Sequence, residues 1–357
     1  MKLKNIFISE NYSIKDALKR LDKTAEKVLL IVNEHNKLLG TVTDGDIRRH
    51  IIKTGRIEGF VKDIYNKNPI FIYNDDFSEN LAKKILVEKK IEVLPILNKN
   101  NVVVDFITWT SIFGNDKSKK IYSKMAGNIP VIIMAGGKGT RLDPFTKVLP
   151  KPLIPIDEKP VIEHIIDRFR EQGTKKFYLT LNYKGEMIAA YFNGIEKDYE
   201  IEFVWEDDFW GTAGSLKLLE HKISENFIVS NCDIMIRANF SKILDFHIQN
   251  SSYLTLISSI QHYKIPYGVV KFKDGGEIEE IIEKPEYVFP INTGVYILNK
   301  KVLSYIPEKK YYDMPNLINK VLMEGNKAFS YPIGESDYID IGQWNEYREA
   351  INKLSII

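Results

Sequence analysis

The sequence predicts a C-terminal α/β domain on a mostly parallel mixed sheet, preceded by a smaller α+β domain of two similar halves. Three observations predict this. From residue 129 onward, apolar β-rich runs alternate with helical patterns, the order that yields a parallel sheet covered on both faces, with a ligand crevice at the strands' carboxyl ends. Ahead of it the chain matches itself: sliding the sequence so that Ser13 falls on Ser78 also sets Ala17 on Ala82, Val28 on Val93, Leu29 on Leu94, Ile31 on Ile96 and Asn33 on Asn98. At 357 residues the chain also exceeds the size at which one core stops growing.

Bulk chemistry narrows the function classes. Fifty basic residues nearly balance 48 acidic ones, a formal charge of +2, so the overall field does not favour nucleic acid. Any polyanion must be held locally. The lone cysteine, Cys232, excludes an intrachain disulfide and a cysteine-rich zinc site, and the six histidines show no HxxxH spacing. Cytoplasmic residence is the expectation. The first residues carry no apolar leader pattern, and no stretch approaches the roughly 20 apolar residues that span a bilayer.

Each N-terminal repeat, about 1–60 and 61–115, reads as a helix, an apolar strand, an Asn-rich turn, a second strand and a short helix. The unit resembles a CBS motif, and the tandem pair a Bateman module, a fold that often binds adenine nucleotides between its repeats. In that family a Gly-x-x-Thr-x-x-Asp segment sets an acid on a ribose, and Gly40 to Asp46 matches it. The resemblance makes Asp46 the ribose ligand and Thr43 a phosphate neighbour; the alternative is that Asp46 only caps its helix. In the second copy Asp105 stands where Gly is expected and Ser111 where the acid is expected, so at most one site is intact.

The module is assigned to 1–118 and a polar, lysine-rich linker to 119–128. The second domain, 129–357, opens with the strand 129–134. Lys176–Leu181, Glu200–Trp205, Phe227–Asn231, Tyr253–Ser258 and Thr293–Leu298 read as further strands, and Val161–Gln172 and Ser241–Asn250 as helices.

The first strand runs into Ala135-Gly136-Gly137-Lys138-Gly139-Thr140-Arg141-Leu142-Asp143-Pro144, followed by Pro150-Lys151-Pro152-Leu153. Free backbone N–H groups and cationic side chains after a buried strand suit a polyphosphate. Neither a Walker P-loop nor a dinucleotide fingerprint fits this register. The pattern resembles the sugar-1-phosphate nucleotidyltransferases, with their G-G-x-G-T-R-L-x-P loop and P-K-P-L segment, and the likeness extends over 129–357. It implies a Rossmann-like domain.

The resemblance also implies site residues. Ala135, Gly136, Gly137, Gly139 and Thr140 line the nucleotide, joined by Gly211 and Thr212 of a G-T-A-G element. Arg141 serves the triphosphate and Lys151 the α-phosphate or sugar phosphate, cations that offset repulsion between two anions. Asp233, an acid just past an apolar strand, and Asp340, in a segment similar to the family's W-x-D-x-G with Tyr338 in the Trp position, are the ligands for Mg²⁺. Gly268, Glu283, Lys284, Asn292 and Thr293 fall in the sugar-side elements. No covalent nucleophile is needed, so Cys232 is read as a buried neighbour and His164, His221, His247 and His262 as packing or solvent-facing residues.

The architecture is similar to bacterial guanylyltransferases of surface-glycan and nonulosonic-acid pathways. That likeness implies GTP and glucosamine 1-phosphate, as in legionaminic acid supply. Mannose or heptose 1-phosphate, uridylyl or thymidylyl transfer, and an inactive nucleotide-sensing subunit are the alternatives. An adenine or guanine nucleotide on the repeats and a homo-oligomer are likewise implied by resemblance.

Overall fold

A computed structural model describes residues 3–24, 27–89, 91–108, 111, 124–125, 129–342 and 347–348, so most of the expected linker lies outside the described residues. The chain forms two compact units, one of 1–120 with 260–291 and 334–336, the other of 121–259, 292–333 and 337–357.

In the first unit the duplication is geometric as well as textual. One repeat has the helix Ile14–Thr24, strands Val28–Val32 and Leu38–Thr43 and helix Asp44–Thr54; the other has Glu79–Lys89, Val93–Leu97 and Val103–Thr108. Each apolar strand is central, flanked by a parallel neighbour, Phe7–Ile8 or Ile72–Tyr73, and an antiparallel one, and with helix residues such as Leu18 or Leu86 packed in its cluster it is buried along its whole length. Even the register shifts recur, at Ile31/Val32 and Ile96/Leu97.

The Asn-rich turns show why the asparagines repeat. Asn33 Oδ1 accepts from His35 and Lys37 N–H at 3.0 and 2.9 Å, and Asn98 Oδ1 from Asn100 and Val102 N–H at 2.9 and 3.0 Å. These side-chain bonds reinforce turns that the backbone also closes, with Asn36 N–H to Asn33 O and Asn101 N–H to Asn98 O, both 2.9 Å. The repeats then exchange bonds reciprocally, Leu38 N–H to Asn101 O and Val103 N–H to Asn36 O, both 3.0 Å. That is the pseudo-symmetric pairing two copies predict.

The second unit is built on a sheet of seven strands, in the order Glu200–Trp205, Lys176–Leu181, Val131–Met134, Asn226–Asn231, Glu286–Asn299, Leu254–Lys264 and Ala328–Ile333. The first four run parallel; Glu286–Asn299 is antiparallel to Asn226–Asn231. The mostly parallel mixed sheet predicted from sequence is therefore present. Two strands are longer than read, because Leu254–Lys264 and Glu286–Asn299 continue into the 260–291 segment, where most strand residues past Ile260 are half-buried or exposed. Periodicity registers only the part of a strand that is buried on a face.

Strand order reverses at Val131–Met134: the chain next adds Lys176–Leu181 on one side, and later Asn226–Asn231 on the other. Ligand crevices form outside the carboxyl ends of strands at such a switch. The glycine loop leaves from that end. Packed against the sheet are Leu216, Leu219, Leu303, Leu317 and Val321, all fully buried.

Candidate active site

Ala135 is buried and its N–H is committed to Thr180 O at 3.0 Å, which keeps the start of the loop in the sheet. At Gly136 a Cβ would lie 3.0 Å from Glu206 Oε1 and 3.2 Å from Asn182 Cβ, so a side chain there would crowd that carboxylate. Gly137 is exposed and a Cβ there would meet nothing within 4 Å; its backbone faces open space. Gly139 has φ 66° and a Cβ on it would fall 2.8 Å from Lys151 Cβ. The loop thus closes down on the lysine that the resemblance singles out.

Lys151 is 13% exposed and ion-paired with Asp233, itself 18% exposed. Asp233 follows Asn226–Asn231, and its carbonyl accepts Ile341 N–H at 2.9 Å, tying it to the short antiparallel pair Ile234–Ile236 and Tyr338–Asp340. Asp340 Oδ1 accepts Gly342 N–H at 2.6 Å, and Tyr338 Oη donates to Oδ2 at 3.3 Å. The tyrosine hydroxyl therefore holds the acid from the position where the family has Trp. At Gly342 a Cβ would sit 2.7 Å from Asp340 Oδ1 and 3.4 Å from Asp233 Oδ2, so both carboxylates reach one point that a side chain would fill.

Burial, and then the charge of Asp233, push the Asp340 carboxyl above its ordinary range. Two crowded carboxylates beside a single ammonium are a hard oxygen-donor set, and this fits a divalent cation that also binds phosphate. Arg141 is exposed at the loop, in no salt bridge among the described residues. Thr140 is likewise exposed. Cys232 is a poor nucleophile here, its thiol pushed up to about 12 by burial and then by Asp233.

The other expected residues make contacts of their own. Gly211 has φ 81°, and a Cβ on it would meet Asp313 Oδ1 at 2.8 Å. Thr212 donates from its N–H to Asp313 Oδ1 at 3.0 Å, and its hydroxyl accepts Met314 N–H at 2.9 Å, so its side chain joins two segments of the protein. Thr293 is buried and gives its hydroxyl to Ile257 O at 2.7 Å, while Asn292 bonds Tyr296 Oη and Gly294 N–H. Gly268, Glu283 and Lys284 lie in the first unit, all exposed: a Cβ at Gly268 would come within 3.1 Å of Glu283 Oε2, and Lys284 pairs with Glu283 at 4.0 Å.

In the first repeat Thr43 and Asp46 form a reciprocal capping box, Thr43 N–H to Asp46 Oδ2 at 2.8 Å and Asp46 N–H to Thr43 Oγ1 at 3.1 Å, with Arg49 on Oδ1. The second repeat builds the same box with Thr108 and Ser111, each N–H to the other's side-chain oxygen at 3.0 Å. A neutral serine suffices for the cap.

Glu206 was not singled out by sequence reasoning. It follows the strand Glu200–Trp205 as Asp233 follows Asn226–Asn231, and that shared strand-end position was the available signal. The carboxyl is 8% exposed and burial pushes it up to about 7, against hydrogen bonds from Trp210 N–H and the Thr180 hydroxyl.

Comparison with known proteins agrees with this geometry. Residues 130–355 match the nucleotidyl transferase family model, and 1–53 and 61–116 match the CBS domain. Mannose-1-phosphate guanyltransferase of Yarrowia lipolytica is 33% identical over 228 residues, 60% of this chain and 61% of that protein. UTP–glucose-1-phosphate uridylyltransferase of Synechocystis is 30% identical over 239 residues, 62% of each. The chain thus spans less than two thirds of the length of these relatives. Among solved structures, HddC from Yersinia pseudotuberculosis superposes with a TM-score of 0.51 at 26% identity, covering 63% of this chain and 99% of that one. With the switch-point glycine loop, the Lys151–Asp233 pair and a family match over 130–355, this chain belongs to the nucleotidyl transferase family and carries a CBS pair ahead of that domain.

Proposed function

We propose that the 129–357 domain transfers a nucleotidyl group from GTP to a hexose 1-phosphate, releasing pyrophosphate, and that 1–118 is a nucleotide-responsive regulatory module. The observation that carries this reading is the meeting of Lys151, Asp233 and Asp340 at the carboxyl edge of the sheet, beside the glycine loop. A sugar phosphate oxygen attacks the α-phosphorus in line; the new P–O bond forms as the bond to pyrophosphate breaks. Lys151 offsets charge where the two anions approach, and exposed Arg141 grips the triphosphate in bidentate fashion. Asp233 and Asp340 would hold Mg²⁺, which when bound neutralises phosphate oxygens. Open backbone at Gly137 admits the phosphates closely.

Glu206 supports guanine as the base. Guanine presents two adjacent N–H donors, N1–H and N2–H, and a carboxylate accepts both; uracil and thymine offer one. A buried acid against Gly136 is suited to that edge. For the sugar, the CBS-linked architecture favours glucosamine 1-phosphate, and the 33% identical relative makes mannose 1-phosphate the second reading. Pyrophosphate release measured with four nucleoside triphosphates against glucosamine, mannose, glucose and heptose 1-phosphates tests both. Activity with UTP or dTTP above GTP overturns the base assignment, and no activity with any pair overturns the transferase reading.

For the repeats, Thr43 and Asp46 are the proposed nucleotide contacts. The Thr108–Ser111 box supports this, since the cap there needs no charge and the carboxylate of Asp46 exceeds what capping requires. A rise in melting temperature of the full chain with AMP or GMP, absent in Asp46→Ser, is the expected result.

A further inference from the structure

His262 does not fit the packing role that its lone position in the sequence suggests. It lies on the strand Leu254–Lys264, within the first unit, and its side chain is only 10% exposed. Both ring nitrogens are shielded from water and neither makes a hydrogen bond; Nδ1 lies 3.5 Å from Glu286 Oε1, beyond good hydrogen-bond range. Buried polar groups are nearly always satisfied, and a hydrogen bond left unmade is destabilising. This imidazole faces two carboxylates of the same unit, Asp22 on the helix Ile14–Thr24 and Glu335 in the turn Glu335–Asp337. One ligand atom from each of the three lies within 4.8 Å of the others.

We propose that Asp22, His262 and Glu335 form a second metal site, separate from Asp233 and Asp340, that takes a divalent first-row transition ion such as Zn²⁺. Zinc bonds to histidine nitrogen and carboxylate oxygen run about 2.0–2.2 Å, so small side-chain rotations bring the three atoms onto one ion. An imidazole with two carboxylates favours zinc over magnesium, which prefers oxygen alone. Three protein ligands leave a fourth position for water.

The surroundings are those of a ligating histidine. Glu286 Oε1 lies 3.5 Å from Nδ1, the side on which a carboxylate can orient a histidine that ligates through its other nitrogen. Glu286 is itself held by an ion pair with Lys19, and its carbonyl accepts from Lys15 Nζ, so the two lysines facing His262 are both engaged. Burial holds the imidazole pKa below its ordinary range. Asp22 is pushed up to about 6 by burial, then by Glu335, with Asp44 adding to the repulsion; Ser336 donates to it from backbone and hydroxyl. A cation relieves that crowding. The bound ion would join segments from near the two ends of the chain.

The test uses the full-length chain, stripped with chelator and free of nucleotide, in an Asp233→Asn/Asp340→Asn background that removes the other acidic pair. Zn²⁺ is titrated calorimetrically, and retained zinc is counted after dialysis. One zinc per chain in the background, lost or weakened more than about tenfold by His262→Gln and separately by Glu335→Gln, is the expected result. Two variants are used so that either one, shown folded by its melting curve, carries the test. Zinc binding unchanged in the folded variant, or absent from the background protein, overturns the proposal. Turnover is not read, so the result stands apart from the transferase reading.

Discussion

Asp233 and Glu206 occupy equivalent places, each just past the carboxyl end of a strand of one sheet, yet their surroundings give them opposite characters. Asp233 has Lys151 against it and Asp340 beside it, a charged setting suited to phosphate and metal. Glu206 is sealed behind Gly136, hydrogen-bonded by neutral donors, and its proton is retained to about 7. Strand position thus delivers a carboxylate to the crevice in both cases, and its neighbours set its character, charged company at Asp233 and burial at Glu206.

The phosphate end is the place to expect the largest effect. Asp233→Asn removes a carboxylate and the partner of Lys151, and turnover should fall by about 10²–10³ or more, with the melting temperature little changed. Pyrophosphate release and a melting curve check it; wild-type turnover would refute the metal assignment. At the base end, Glu206→Gln replaces an acceptor by a donor. Preference for GTP over UTP should drop on the order of ten- to a hundredfold, read as the ratio of kcat/KM values, with kcat itself less affected than in Asp233→Asn.

Gly139→Ala lies between the two. Its φ of 66° and the 2.8 Å approach to Lys151 Cβ make a methyl group costly by about 1–2 kcal/mol in the backbone alone. Denaturant unfolding should show that loss, and kcat should fall because Lys151 is displaced.

The smallest effect is in pH. Because Glu206 is protonated more readily folded than unfolded, its contribution to stability is greatest below about pH 4.5 and declines as pH rises through about 7. Recognition runs the other way: ionisation above about 7 gives guanine two acceptors, so the KM for GTP should decrease as pH rises through that value. Glu206→Gln should flatten both profiles.

Much of the molecule was legible from residues alone. The duplicated Asn33 and Asn98 turns, the strand from Val131 and the helix from Val161 are local patterns, and local hydrogen bonds or one buried face enforce them. The long ends of Leu254–Lys264 and Glu286–Asn299 escaped notice because their mix of half-buried and exposed, partly polar residues leaves no apolar run. The hydroxyls of Thr212 and Thr293 make contacts with Met314 and Ile257 that no short motif records.

Motif order and periodicity were enough to establish the repeats, the strands and the glycine loop, which depend on residues near in sequence, and the alternation of strand with helix implied the parallel sheet. Packing alone set Asp233 beside Asp340, confined Glu206 behind Gly136, and gathered Asp22, His262 and Glu335. These groups are far apart in the chain, and both their proximity and their ionisation arise from burial, which exists only once the fold has closed.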